Sequence, residues 1–342
     1  MIVRSKAPLR LGLAGGGTDV SPYSENYGGY ILNATISLYA HCTIKENNNN
    51  LIVISSRDMQ LSETFNENTT YFELGTRLDL IKQVLNHLIK HNYVKKFRPF
   101  TIYTFCDAPP GTGLGSSSTM VVSIIKAFCE WLNIPLGEYD IAKMAFEIER
   151  VDLKLSGGKQ DQYAASFGGF NFMEFKKNNE VIVNPLRIKK HIINELEASI
   201  LLFNIGSSRK SSNIIKAQNS SIKNNKSALE AMHKIKNCAF KMKECILFGK
   251  TENLAKILNE SWELKKRLAK SITNNLIDDT YNDAIKNGAL AGKISGAGGG
   301  GVMMLVIKPS DKLKVIESLS KFSHKNLPFV FTKEGCQSWT LK

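Results

Sequence analysis

The sequence predicts an α+β fold built from two domains, residues 1–190 and 191–342. Three observations carry this. A chain of 342 residues exceeds what one hydrophobic core supports, since cores stop growing at about 250–300 residues. Alternating strand-like stretches and amphipathic helical stretches are mixed within the first half. From about Ser199 the character changes, and the second half is dominated by helical segments with Lys/Glu-rich exposed faces.

The elements follow in order. Ile2–Leu13 and Tyr30–Glu46 carry strand patterning, and Asn47–Asn50 forms a turn into the strand Leu51–Ser55. Asp79–His91 is expected to be a helix with Leu80, Ile81, Val84, Leu85 and Leu88 on its apolar side. Phe100–Phe105 alternates as a strand. Met120–Leu132 is apolar nearly all round and should be a buried helix. Asp140–Asp152 is amphipathic, the loop Ser156–Gln162 follows, and Phe170–Phe175 with Val181–Ile188 closes the half as a hairpin. In the second half Ile200–Ile205 is a strand and Lys223–Ser271 is mainly helical. A helix over Asp278–Asn287 ends at Gly288, and Val302–Ile307 is a strand.

Composition narrows the function. A 43% hydrophobic and 22% charged chain is ordinary for a globular protein. It contains no apolar run of about 18 residues, so no membrane span is expected. Met1–Pro8 runs straight into strand patterning without the apolar core of a signal peptide, which predicts a cytoplasmic protein. The six cysteines lack metal-type or redox-type spacing and read as reduced core thiols. His87 and His91 are spaced i,i+4, but Lys90, Asn92 and Lys95 around them point to a solvated face. The net charge of +14 is spread along the chain with no basic stripe, so a nucleic-acid partner is not expected. Such a field suits an enzyme whose substrates carry several negative charges.

The most telling stretch is Pro109-Pro-Gly-Thr-Gly-Leu-Gly-Ser-Ser-Ser-Thr119, directly before the Met120–Leu132 helix. Glycines let the backbone approach an anion, and a helix start offers unpaired N–H groups and a positive dipole end. It is neither a Walker A loop nor a dinucleotide-binding Gly-x-Gly-x-x-Gly. Helical periodicity adds a carboxylate. With Ile141, Ala142, Ala145 and Ile148 on the buried face, Glu149 falls within that arc and Glu147 points outward. A buried acid needs a partner, either a metal or a nearby basic residue.

Together with Ala7–Asp19, Glu147–Gln162 and Ile294–Gly301, this loop resembles the motifs of the GHMP kinases, in the right order and over nearly the whole chain. The resemblance implies an N-terminal domain like ribosomal protein S5, a ferredoxin-like C-terminal domain, and ATP and Mg²⁺ as cofactors. It implies that Pro110, Gly111, Gly113, Leu114, Gly115, Ser116, Ser117 and Ser118 hold the nucleotide phosphates. Ser117, or its neighbour Ser116, would ligate Mg²⁺ together with Glu149. Asp161 corresponds to the family's catalytic aspartate, and Arg10 to the basic residue beside it. Thr18 and Asp19, preceded by Gly16 and Gly17, correspond to residues that bind sugar hydroxyls in galactokinases. The form Leu-Gly-Leu-Ala-Gly-Gly-Gly-Thr-Asp at 11–19 is similar to that of the D-glycero-D-manno-heptose 7-phosphate kinases. That implies phosphorylation of an anomeric hydroxyl on a sugar phosphate, with another sugar 1-kinase or a non-catalytic ATP- and sugar-binding relative as alternatives. The substrate's own phosphate would need cations. Lys159 and the pair Arg209-Lys210 are the candidates, the latter pair serving otherwise as a solvated loop. Gly298 is expected to approach the substrate. The expected partner is a small sugar phosphate, with a homodimer as the candidate assembly.

Overall fold

The computed structural model describes residues 1–206 and 211–341. The first half supplies strands β1 (Ile2–Ala14), β2 (Gly29–Glu46), β3 (Leu51–Ser56), β4 (Leu61–Asn66), β5 (Phe100–Cys106), β6 (Phe170–Phe175) and β7 (Val181–Pro185). The second half supplies β8 (Ile200–Asn204), β9 (Ala289–Ile294), β10 (Val302–Ile307), β11 (Lys325–Asn326) and β12 (Gln337–Leu341). The first sheet runs β12-β1-β2-β5-β3-β4, with β6 and β7 added alongside β2. The second runs β11-β8-β10-β9.

Helices of the first half are α1 (Tyr23–Tyr27), α2 (Asp79–Lys90), α3 (Ser116–Leu132), α4 (Glu138–Phe146) and α5 (Gln160–Phe167). Those of the second are α6 (Lys190–Ser199), α7 (Ser211–Asn224), α8 (Lys226–Leu247), α9 (Leu254–Lys266), α10 (Asn275–Lys286) and α11 (Lys312–Ser320). Helix α3 lies across β1 and β2. Its Val121, Ile124, Ile125 and Phe128 are fully buried, which accounts for its apolar circumference. Among the described residues no helix is long and apolar enough to cross a membrane.

β2 is long because its two ends serve different neighbours. Gly29–Ala34 pairs with β6 and Ala40–Glu46 pairs with β5, while β1 runs along most of its length. The β1–β2 register breaks between Pro8 and Arg10, where proline has no N–H for the ladder. Arg10 N–H instead donates to Leu114 C=O at 3.1 Å. This irregularity aims the Arg10 side chain across to the loop that starts α3.

The halves share one core. Leu9 and Leu11 of β1 belong to the same buried cluster as Met232, Ile235 and Ala239 of α8 and Leu202 of β8. The chain also returns to its beginning. Thr332 N–H donates to Thr35 C=O at 3.0 Å, and β12 pairs antiparallel with β1, Ile2 opposite Leu341. A division at residue 190 does not anticipate that return.

Three local expectations are corrected. Helix α3 begins at Ser116, because the three serines form its first turn. The helix expected over Asp140–Asp152 begins at Glu138 and passes into a π-helical turn, Glu147–Asp152. His87 is not on a solvated face: it is buried, with Nδ1 3.0 Å from Asp152 Oδ2, because that π turn packs on α2. The six cysteines are free thiols, as their spacing predicts.

Candidate active site

The loop after β5 has a backbone shape that only glycine accepts readily. Gly111, Gly113 and Gly115 have φ of +88°, +74° and +83°, which side chains resist. A Cβ on Gly113 would also fall 2.2 Å from Ser295 C=O. The helical ladder of α3 begins with Thr119 N–H donating to Gly115 C=O at 2.9 Å. The N–H groups of Ser116–Ser118 are therefore spare, and the first turn carries no acid. Spare donors at the positive end of a helix dipole make an anion cradle.

Beside this cradle stands Glu149, fully buried as its place on the apolar arc predicts, whereas Glu147 is half-buried. The π turn gives Glu149 three neighbours. Ser117 Oγ donates to its Oε1 at 3.0 Å, Gln162 Nε2 donates to its Oε2, and Arg150 Nη1 lies 3.7 Å away. Gln162 Nε2 also reaches Ser118 Oγ at 3.1 Å, while its Oε1 is buried without a partner. The exposed Ser117 hydroxyl and the Glu149 carboxylate are hard oxygen donors, a set that fits Mg²⁺ shared with a nucleotide.

Asp161 sits in the first turn of α5 and is clasped by Arg10. Arg10 Nε donates to Asp161 Oδ1 at 2.7 Å and Nη2 lies 2.6 Å from the same oxygen. Arg10 Nη1 donates to Gly113 C=O, which ties the pair to the phosphate loop. Asp19 is buried and accepts the Gln160 N–H at 3.1 Å. A Cβ on Gly158 would fall 1.9 Å from Asp19 Oδ2, so any side chain there would displace the Asp19 carboxylate. Burial pushes the Asp19 carboxyl above the usual range, the Gln160 N–H pulls it back, and nearby Asp161 pushes it up again.

One cavity of about 310 Å³ is lined by Arg10, Asp19, Asp161, Glu149, Ser117 and the loop glycines Gly111, Gly113 and Gly115. Gly17, Pro110, Ser116 and Ser118 also line it. Other expected residues stand elsewhere. Leu114 is in the core. Thr18 is buried and spends its hydroxyl on Gly15 and Tyr30 carbonyls at 2.9 and 2.8 Å. Gly16 is not among the residues that line the cavity, and Gly298 packs on Ile272. Lys159 faces a second, adjoining cavity, where its Nζ donates to Asn179 Oδ1 at 2.9 Å. Burial lowers its ammonium below the ordinary lysine value. Arg209 and Lys210 lie outside the described residues.

Among the lining residues that were not anticipated are Gln160 and Lys265. Lys265 is buried, and its Nζ donates to Gly296 C=O at 2.6 Å. A signal for it exists in the sequence. Lys265 is in helical register with Leu258 and Trp262, on the apolar stripe of α9.

Comparison with known proteins identifies relatives of the chain. Residues 79–169 match the N-terminal domain of the GHMP kinases, and residues 223–325 match the C-terminal domain. A D-glycero-alpha-D-manno-heptose 7-phosphate kinase from Campylobacter jejuni is 48% identical over 339 residues, covering 99% of both chains. A crystal structure of a D-glycero-D-manno-heptose 1-phosphate kinase from Bacteroides thetaiotaomicron superimposes with a TM-score of 0.86 at 46% identity, over 99% of each chain. Lactococcus lactis galactokinase, at 15% identity and a TM-score of 0.77 over 98% of this chain and 95% of its own, shares the fold.

Proposed function

The chain belongs to the GHMP kinases, and from that premise we propose that it moves the γ-phosphoryl group of ATP onto the anomeric hydroxyl of D-glycero-D-manno-heptose 7-phosphate, forming the 1,7-bisphosphate. The observation that carries this reading is the Arg10–Asp161 pair, set between the phosphate loop and Asp19 in one cavity. The Campylobacter relative supports the choice of sugar.

The chemistry follows from the positions. The spare N–H groups of Ser116–Ser118 hold the nucleotide phosphates, and Asp19 accepts hydrogen bonds from sugar hydroxyls. Asp161 orients the anomeric hydroxyl and takes its proton as that oxygen bonds to the γ-phosphorus. The bond from the γ-phosphorus to the bridging oxygen breaks, and ADP leaves. Arg10 fixes the orientation of Asp161 and faces the charge that develops on the transferred group. Ser117 and Glu149 would hold Mg²⁺, which would neutralise phosphate charge when bound.

The test is an ADP-release assay on a panel of sugars and sugar phosphates with ATP and Mg²⁺. Turnover should be greatest with heptose 7-phosphate, and a clear preference for galactose or fucose would remove the substrate assignment. Asp161→Asn should lower kcat by about 10²- to 10⁴-fold while ATP binding stays within about two-fold. Unaltered kcat in that variant would show that Asp161 carries no proton.

A further inference from the structure

The cavity wall formed by Lys265 of α9, Gly17 and Gly296 carries positive charge that no contacting acid among the described residues balances. Lys265 projects from the last turn of α9 and is 8% exposed. A Cβ placed on Gly16 would stand 3.6 Å from its Nζ. Its one acceptor among the described residues is Gly296 C=O at 2.6 Å, although an ammonium carries three donors. Among the described residues no carboxylate lies within 4.0 Å of it. Behind it Lys293, also 8% exposed, donates to Leu13 C=O at 3.3 Å.

The other cations of the cavity are already engaged. Arg10 is spent on Asp161 and Gly113, and Arg150 on Glu149, Gly158 C=O and Ser118. A buried ammonium without a contacting anion is costly, and a dianionic ligand group would relieve that cost. We propose that Lys265 receives the phosphate that the sugar substrate already carries, and so makes the enzyme select phosphorylated over unphosphorylated sugar. This rests on the reading of the substrate as a sugar phosphate. Lys159, tied to Asn179 in the adjoining cavity, is not that group.

The experiment compares kcat/KM for heptose 7-phosphate and for the unphosphorylated heptose in the native enzyme, Lys265→Met, Lys265→Arg and Lys159→Met. Whether the native enzyme uses heptose 7-phosphate tests the substrate reading, and the variants test the inference. Lys265→Met should lower the ratio of the two values by about 10- to 100-fold, the worth of a hydrogen bond between charged groups. Lys265→Arg should keep most of the ratio, which a merely structural role for the side chain would not require. If Lys265→Met lowers both values equally and leaves the ratio intact, Lys265 does not hold the substrate's phosphate. A ratio that collapses in Lys159→Met and not in Lys265→Met would place that phosphate in the second cavity and overturn the inference.

Discussion

At the scale of single residues, the site places ionisable groups where burial sets their charge. Burial pushes the Lys265 ammonium down to about 8, with Asp19 raising it and Arg10 lowering it further. Lys293 behind it is pushed down to about 7 by burial, then by Lys265 and Arg10. A lysine whose folded value lies this low is charged below about pH 8 and neutral above it. The phosphate of the substrate is a dianion above about pH 6. The protonated enzyme is the form that binds it, so kcat/KM for the sugar phosphate should hold level from near pH 7 and fall as pH rises through about 8. Lys265→Arg, which does not lose its proton, should abolish that fall. A native profile that stays flat to pH 9.5 would show that no group titrating near 8 governs sugar-phosphate binding. Lys265 was legible in the sequence as a lysine on an apolar stripe. Its chemistry was not, because one helix's periodicity does not show which wall of which cavity the stripe meets.

At the scale of elements, the π turn is the decisive piece. Ordinary helical periodicity was enough to separate Glu149 from Glu147, since Ile148 and Ala145 fix the buried arc. It could not reveal the extra-wide turn, which depends on the fit of Asp152 against α2. His87 and Lys90 hold Asp152 at 3.0 and 3.5 Å, and so brace the turn that presents Glu149. Gln162 escaped notice because the segment through it was expected to be a loop. Once α5 is seen to begin at Gln160, Asp161 and Gln162 leave the helix in different directions, one to Arg10 and one to Glu149. Gln162→Leu should therefore raise the Mg²⁺ concentration needed for half-maximal activity by about 10-fold, an effect of the size expected for a group that orients a metal ligand. The KM for the sugar should change less. If Mg²⁺ dependence is unmoved, Glu149 is held without Gln162.

At the scale of the whole molecule, both halves were legible as α+β units, but their union was not. A short polar-bounded segment such as Gln337–Leu341 gives no local sign that its partner is β1, more than 300 residues away in sequence. Removing residues 329–342 would strip β12 from β1 and the Phe331 bridge from Ile36, leaving β1 as an open edge. The truncated protein should show a Tm several degrees lower and aggregate on heating, read by calorimetry and light scattering. A Tm equal to the native value would show that the tail adds no stability.

The phosphate loop is shared between the halves. Val302 N–H donates to Thr112 C=O at 2.8 Å and Ser295 Oγ to Gly113 C=O at 2.9 Å, both from the second half, while Arg10 N–H reaches Leu114 C=O from the first. Gly296 sits so close that a Cβ on it would fall 2.7 Å from Gly113 Cα. The glycine loop is thus a seam, stitched from both sides and owned by neither. Substrate preference cannot be transplanted among these kinases by swapping one half for another's. The Ser295–Gly301 turn and the Gly111–Gly115 loop would have to come from the same protein, as a matched pair of surfaces.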